Sequence, residues 1–332
     1  MIDYTQILGR PAAAADDAAI GHLVRGQVVL VTGAGGSIGA ELCRQIHRFA
    51  PARLILVDRA EDNLFRIHTE LPAAEPALGD VCDRTRMEAI FADARPDLVL
   101  HAAAYKHVPL MESSAGEAVR NNVCGTRTIA DTAALFGVRR FVLLSTDKAV
   151  APSGVMGATK RLAERYVRAM HAQSRTTLCA VRFGNVLGST GSVVPTFLEQ
   201  IARGGPVTVT HPDMERFFMT IPEACLLTLQ AAAMAQGGEV FVLDMGKPLR
   251  IVDLAQRLID LAGVVPQPEI LFTGVRPGEK LVEELAREGL RPTAHPGILV
   301  GHPKGERLDE VVSALNDIRS ASDVRARLLE VA

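Results

Sequence analysis

The chain has 332 residues, 48% of them hydrophobic and 22% charged, which suits a well-packed protein of one large or two smaller units and excludes a disordered chain. A formal net charge of -2, with acids and bases interspersed, gives no electrostatic case for nucleic acid or an anionic membrane surface. The five scattered cysteines contain no Cys-x-x-Cys pair, and no run approaches the roughly 18 apolar residues of a membrane span, so reduced thiols, no metal site and a cytoplasmic setting are expected.

Residues 1–25, with Pro11, an alanine run and Asp16-Asp17, read as a loosely attached lead-in helix and linker. Short continuous apolar runs then follow at Val28–Val31, Leu54–Val57, Leu98–Leu100, Phe141–Leu144 and Leu178–Val181, the pattern of strands buried on both faces. Helical stretches lie between them at Ile38–Phe49, Met111–Phe136 and Ala158–His171. The alternation predicts right-handed βαβ units: an α/β, Rossmann-like, doubly wound parallel sheet over residues 26–183. From 184 to 332 glycine and proline punctuation increases and predicts a smaller substrate-binding region, with Val240–Leu243 able to return to the main sheet.

Val28 to Gly39 reads as strand, glycine-rich turn and helix start. Gly33, Gly36 and Gly39 have the spacing that brings backbone N–H groups to a pyrophosphate at a helix N-terminus, with Gly35, Ser37 and Ile38 on the same turn. A glycine turn can be merely a tight connection, but Asp58 ends the next strand, where a carboxylate accepts both hydroxyls of an adenosine ribose. The pair predicts NAD; Asp58 repels a 2′-phosphate, and Arg59 beside it keeps NADP as the less favoured cofactor. Asp80 and Val81 end a later segment near the expected adenine edge, and Ala102 and Ala103 leave room for a cofactor or are ordinary packing. His101 reads as a hydrogen-bonded core histidine, while Lys106 and His107 stand at the sheet's carboxyl edge, where open α/β folds bind ligands.

The second cluster is Ser145-Thr146-Asp147-Lys148, followed by Met156-Gly157-Ala158-Thr159-Lys160. Together with the glycine turn it resembles an extended short-chain dehydrogenase/reductase, in which a Tyr-x-x-x-Lys helix follows the serine strand. Here Met156 replaces the tyrosine, and a thioether carries no proton. Either the site is dead, with Met156 as core filler, or proton transfer has moved to Asp147 and Lys148. The stretch Ser-Thr-Asp-Lys-Ala-Val-x-Pro is similar to the nucleotide-sugar 4,6-dehydratases of bacterial polysaccharide biosynthesis, and the likeness continues through Asn185, Arg216 and the Arg276-Pro277-Gly278-Glu279-Lys280 turn.

The resemblance implies a UDP-N-acetylglucosamine 4,6-dehydratase that passes hydride from C4 to NAD, loses water across C5/C6 and returns hydride to C6. It assigns the base to Lys148, the acid to Asp147, the nicotinamide ribose to Lys160, and UDP-sugar contacts to Arg216, Arg276 and Glu279, with Asn185, Lys106 and His107 as further substrate candidates. The group that deprotonates the C4 hydroxyl stays open between Thr146, a water and Asp147. A homo-oligomer of at least two copies is expected. The Met variant resembles a membrane-anchored subgroup, so a cytoplasmic portion of an inner-membrane protein and a short homologue are both consistent. A UDP-sugar 4-epimerase and an inert NAD-responsive binding module are the alternatives.

Overall fold

The computed structural model describes residues 4–285, 289–301 and 306–332. Its centre is a nine-stranded sheet. Six strands come from the first 183 residues: β1 (Val28–Thr32), β2 (Arg53–Asp58), β3 (Glu75–Leu78), β4 (Leu98–His101), β5 (Arg140–Thr146) and β6 (Thr177–Phe183). Across the sheet the order is Arg291–Pro292, Ile298–Gly301, Val240–Leu243, β6, β5, β4, β1, β2, β3. All pairings among β1–β6 are parallel, and the order reverses between β1 and β4, the crevice where doubly wound sheets bind ligands. Val29, Leu30 and Val31 are fully buried, as a strand covered by helices on both faces requires.

Two elements differ from the sequence expectation. The strand β3 was not expected: Glu-Pro-Ala-Leu is half exposed at the sheet edge, where a proline is tolerated because its missing N–H faces no partner. The stretch 111–136 is not one helix but Val108–Glu112, Ala115–Ala118, a π-helical turn at Val119–Cys124 and Gly125–Leu135. Within the π turn the buried Asn122 reaches out to the backbone of Tyr105, accepting its N–H and donating to its carbonyl.

The chain re-enters the main sheet at Val240–Leu243, parallel to β6, and adds Ile298–Gly301 antiparallel to that strand. Helices Leu308–Ser320 and Val324–Val331 then bury Val311, Leu315, Ile318 and Leu328 in the same cluster as Met156 and Leu162 of helix Val155–His171. Residues 184–332 are therefore not one substrate-binding unit. A separate small core remains for that region, built from Leu187, Phe197, Phe218, Leu254 and Leu258.

The lead-in is anchored rather than loose. Ile7 is buried in the small core, while Ile20 and Val24 of helix Asp17–Val24 are buried in the main one. Between them Arg10 pairs with the buried Glu223 at 2.5 Å, and the Ala13 N–H donates to the same carboxylate. Because Ile20 has no exposed surface, Ile20→Ala should cost about 2 to 4 kcal/mol of unfolding free energy in urea titration. A loss under about 0.5 kcal/mol would mean the segment is not part of the packed unit.

Candidate active site

The turn after β1 is shaped by contacts that exclude a side chain. Gly33 has φ +67°, and a Cβ there would lie 2.7 Å from the Ala103 nitrogen; at Gly35 it would meet the Asn63 backbone, and at Gly39 the Gly33 carbonyl at 2.0 Å. Gly36, the N-cap of helix Ser37–Arg48, lines the cleft, and the first N–H groups of a helix have no intrahelical partner. Asp58 closes the other side: Oδ2 accepts from Gly35 N–H and Oδ1 from Ala60 N–H, both at 2.9 Å. These elements line a cleft of about 160 Å³, with Ala102, Ala103 and Asn121 on its far wall.

Arg59 lies over the Tyr105 ring at 4.6 Å and bonds Asn121 Oδ1 at 3.4 Å, with Asp80 at 3.8 Å. Burial works to raise the Asp80 carboxyl's proton affinity, yet the Cys82 N–H and the Arg120 and Arg59 charges outweigh it, so its pKa is lowered. Val81 is buried in the core and also lines the cleft, and Ile38 is partly buried against the other core. Ser37 Oγ is 3.2 Å from Thr190 Oγ1 and accepts from Thr190 N–H, tying the glycine turn to the segment after Leu187. His101 is fully buried between Thr32 and Thr126, and burial, aided by the Lys160 charge, lowers its pKa to about 3: it is a neutral core group.

Thr146, Asp147 and Lys148 leave the end of β5 in a single 3-10 turn. Asp147 has no exposed surface. Its Oδ1 accepts from Thr146 Oγ at 2.8 Å and from Lys148 Nζ at 3.0 Å, while Oδ2 is buried without a partner and faces Gly184, where a Cβ would lie 3.0 Å away. Lys148 Nζ also donates to Asn185 Oδ1 at 3.0 Å. Gly157, in the first turn of the next helix, packs on the Lys148 carbonyl, an approach that any Cβ would block. Met156 is buried among Val155, Ala158 and Leu162, and Lys160 is buried one turn on. Ser145 Oγ is another buried oxygen without a partner.

A strap from Arg276 to Glu283 crosses this turn. Lys280 Nζ donates to the Val150 carbonyl at 3.1 Å, and Ser153 Oγ to the Gly278 carbonyl at 3.1 Å. Arg216, a UDP-sugar contact by resemblance, is buried and donates to the carbonyls of Glu215, Leu281 and Lys280, which pins the strap. Arg276 is half exposed and bonds Glu279 Oε1 at 2.7 Å. Lys106 Nζ donates to Thr190 O at 2.7 Å and Ser189 Oγ at 3.3 Å, and His107 packs on Gly191; burial lowers the pKa of both.

The sequence matches the polysaccharide biosynthesis protein family over residues 29–303. The chain belongs to that family. It is 52% identical to the capsular polysaccharide biosynthesis protein CapD of Staphylococcus aureus over 86% of this chain, and it spans about half of CapD's length, 49%. It is also similar to a UDP-glucose 4-epimerase of Rickettsia canadensis (34% identity; 78% of this chain, 77% of the relative) and to an inverting UDP-N-acetylglucosamine 4,6-dehydratase of Campylobacter jejuni (32%; 77% and 76%). The solved structure of Pen from Bacillus thuringiensis superposes with a TM-score of 0.78 at 32% identity, covering 83% of this chain and 87% of that one.

In this polysaccharide biosynthesis family member, the structure gathers Thr146, Asp147, Lys148 and Asn185 into one hydrogen-bonded set and Gly33, Gly36, Asp58, Ala102 and Ala103 around one cleft. Sequence reasoning missed Asn121 and Asn122, whose signal was two poor helix formers side by side in a helical stretch. It also missed Glu112, which accepts from the Val155 N–H and from Arg325, and Glu283, whose Oε2 is buried without a partner. No motif marks these two carboxylates, because a lone Glu in a polar segment reads as solvated.

Burial lowers the Lys160 pKa from 10.5 to about 8, partly opposed by Glu164. Below pH 8 the folded state carries the buried charge at full cost; between 8 and 10.5 the unfolded chain binds the extra proton, so stability rises with pH through that window. Lys160→Met should raise stability at pH 7 by on the order of 3 kcal/mol and abolish that rise, read from urea titrations at pH 7 and 10. A destabilised variant at pH 7 would show that Lys160 is satisfied by a partner rather than merely buried.

Proposed function

We propose that this chain carries the catalytic unit of an NAD-dependent nucleotide-sugar 4,6-dehydratase acting on UDP-N-acetylglucosamine. One observation carries the reading: a fully buried Asp147 with one oxygen doubly hydrogen-bonded and the other bare, paired to Lys148. The likeness to the Campylobacter dehydratase supports the substrate class, and the likeness to the Rickettsia epimerase supports a UDP-sugar in either case.

The glycine turn, the helix N-terminus and the Asp58 carboxylate fit a dinucleotide. Each Asp58 oxygen already takes one backbone N–H and keeps lone pairs for ribose hydroxyls, and a 2′-phosphate would meet its charge while Arg59 is held by Tyr105, Asn121 and Asp80. Bound there, the nicotinamide supplies a reversible hydride acceptor. Lys160 is placed one helical turn beyond Met156 for the nicotinamide ribose.

The proton inventory then closes on this chain's residues. Met156 holds no proton, so the C4 hydroxyl proton passes through the Thr146 hydroxyl to Asp147, whose Oδ1 it already bonds. Neutral Lys148 takes the C5 proton; Asp147 gives its proton to the departing C6 hydroxyl, which leaves as water; Lys148 returns a proton to C5 when the C5–C6 alkene is reduced. Asp147 ends as the anion and Lys148 as the amine, their starting forms. The exposed Arg276 meets the diphosphate with the N–H groups that its bond to Glu279 leaves free.

The product should be lighter than the substrate by one water. Unchanged mass with a changed C4 configuration would establish the epimerase instead, and no product an inert module. In D2O, Lys148→Ala should abolish deuterium entry at C5, whereas Asp147→Asn should lower water loss by roughly 100-fold to 10,000-fold. Normal dehydration by both variants would remove the pair from the chemistry. Asp58→Ala should weaken NAD binding by roughly 1 to 3 kcal/mol in calorimetric titration, and unchanged affinity would take Asp58 out of the cofactor site.

A further inference from the structure

Ser37 and Lys106 stand on opposite sides of the crevice and are joined through one residue of the segment that follows Asn185–Leu187. Ser37 opens the helix after β1, and Lys106 follows β4, the two strands between which the sheet order reverses. Thr190 spans them with its backbone: its N–H donates to Ser37 Oγ at 3.1 Å, and its carbonyl accepts from Lys106 Nζ at 2.7 Å. Lys106 also reaches Ser189 Oγ at 3.3 Å, and the Ser37 and Thr190 hydroxyls lie 3.2 Å apart. On either side of this pair a glycine meets two constraints at once. Gly188 and Gly191 have φ of +76° and +67°, and a Cβ would lie 2.6 Å from Tyr4 Oη at the first and 2.8 Å from the His107 ring at the second. Residues 188–191 are thus braced by the lead-in, the glycine turn and the loop after β4.

We propose that Lys106 is a positioning residue that holds residues 188–191 shut across the crevice, a gate through which the dinucleotide must pass. The proposal rests on the cofactor reading above. The first turn of helix Ser37–Arg48 is where a pyrophosphate would be held, and the Thr190 bridge is fastened to that turn. A lysine suits the other end. Its ammonium makes charge-assisted bonds to a carbonyl and a hydroxyl of neighbouring residues, while its flexible stem lets them part. Closure is also compatible with a cycle that returns its hydride, because the nicotinamide need not be exchanged between turnovers. Direct contact of Lys106 with a ligand is the competing assignment, and kinetics separate the two. A lost gate speeds entry and exit together, whereas a lost contact speeds exit alone.

The test follows the cofactor rather than turnover. Stopped-flow fluorescence of NADH gives its rates of entry and release. Lys106→Met keeps the stem and removes the ammonium, so both rates should rise by about tenfold or more, with the dissociation constant changed far less. The double variant Ser37→Cys, Thr190→Cys supplies a lock at positions whose hydroxyls already lie 3.2 Å apart. Diamide takes two electrons and two protons from the thiol pair as the disulfide forms, which mass spectrometry confirms. The locked protein should then hold preloaded NADH far longer than its reduced form, measured against the parent treated alike, and dithiothreitol should restore release. Release rising alone in Lys106→Met, or both rates unchanged, overturns the gate, as does equal release from the oxidised and reduced double variant. A parent that takes up no NADH removes the cofactor reading and the gate with it. If the parent binds NADH through such a gate and makes no dehydrated product, the dehydratase reading alone is lost.

Discussion

The strands β1, β4 and β5 are buried on both faces, and that constraint decides where polar chemistry can exist in this half of the molecule. Inside the sheet a polar atom must be paired, as the Thr32–His101–Thr126 chain is, with the imidazole neutral. At the carboxyl ends the pairing lapses. There the glycine turn, the small residues after β4 and the Ser145–Lys148 segment emerge side by side, because the parallel register brings Thr32 opposite His101 and His101 opposite Leu143. The unpartnered Ser145 Oγ and Asp147 Oδ2 sit at this edge. Uncompensated buried oxygens cost stability, and their concentration at one edge is what a ligand-binding site requires.

Around that edge one carboxylate does much of the clamping. Glu112 Oε1 accepts from the Val155 N–H at 2.6 Å, capping the helix that carries Met156 and Lys160, and it packs where Gly154 and Gly278 have no side chains. Its other oxygen binds Arg325 of the last helix at 2.8 Å. The catalytic helix, the strap and the C-terminal helix thus share one anion. The pair adds to the apolar burial of Val311, Leu315, Ile318 and Leu328 that holds residues 308–331 against the main sheet.

The parts legible in the sequence were those with local causes. Continuous apolar runs announced β1, β2, β4, β5 and β6; the glycine spacing announced the turn, because backbone crowding at Gly33 and Gly39 is local. Edge strand β3 was silent, since half-exposed Glu-Pro-Ala-Leu has no pattern of its own. The setting of Arg216 was silent for a different reason: the carbonyls of 280 and 281 that accept from it are 64 and 65 residues away. Glu112 and Glu283 likewise owe their burial to distant segments, and no window of sequence contains both sides of such a contact.

Charge balance ties these observations together. With Arg216 and Lys280 donating to carbonyls, Arg276 is the strap's exposed cation, and it is paired to Glu279. Glu279 is nearly buried and its Oε2 has no partner, so moving Arg276 off it would leave a buried carboxylate uncompensated. Deeper in, Asp147 is paired to Lys148, and the buried Glu283 carries an oxygen without a partner. A fully anionic ligand would meet repulsion there, and the same burial that leaves Asp147 bare makes that repulsion strong.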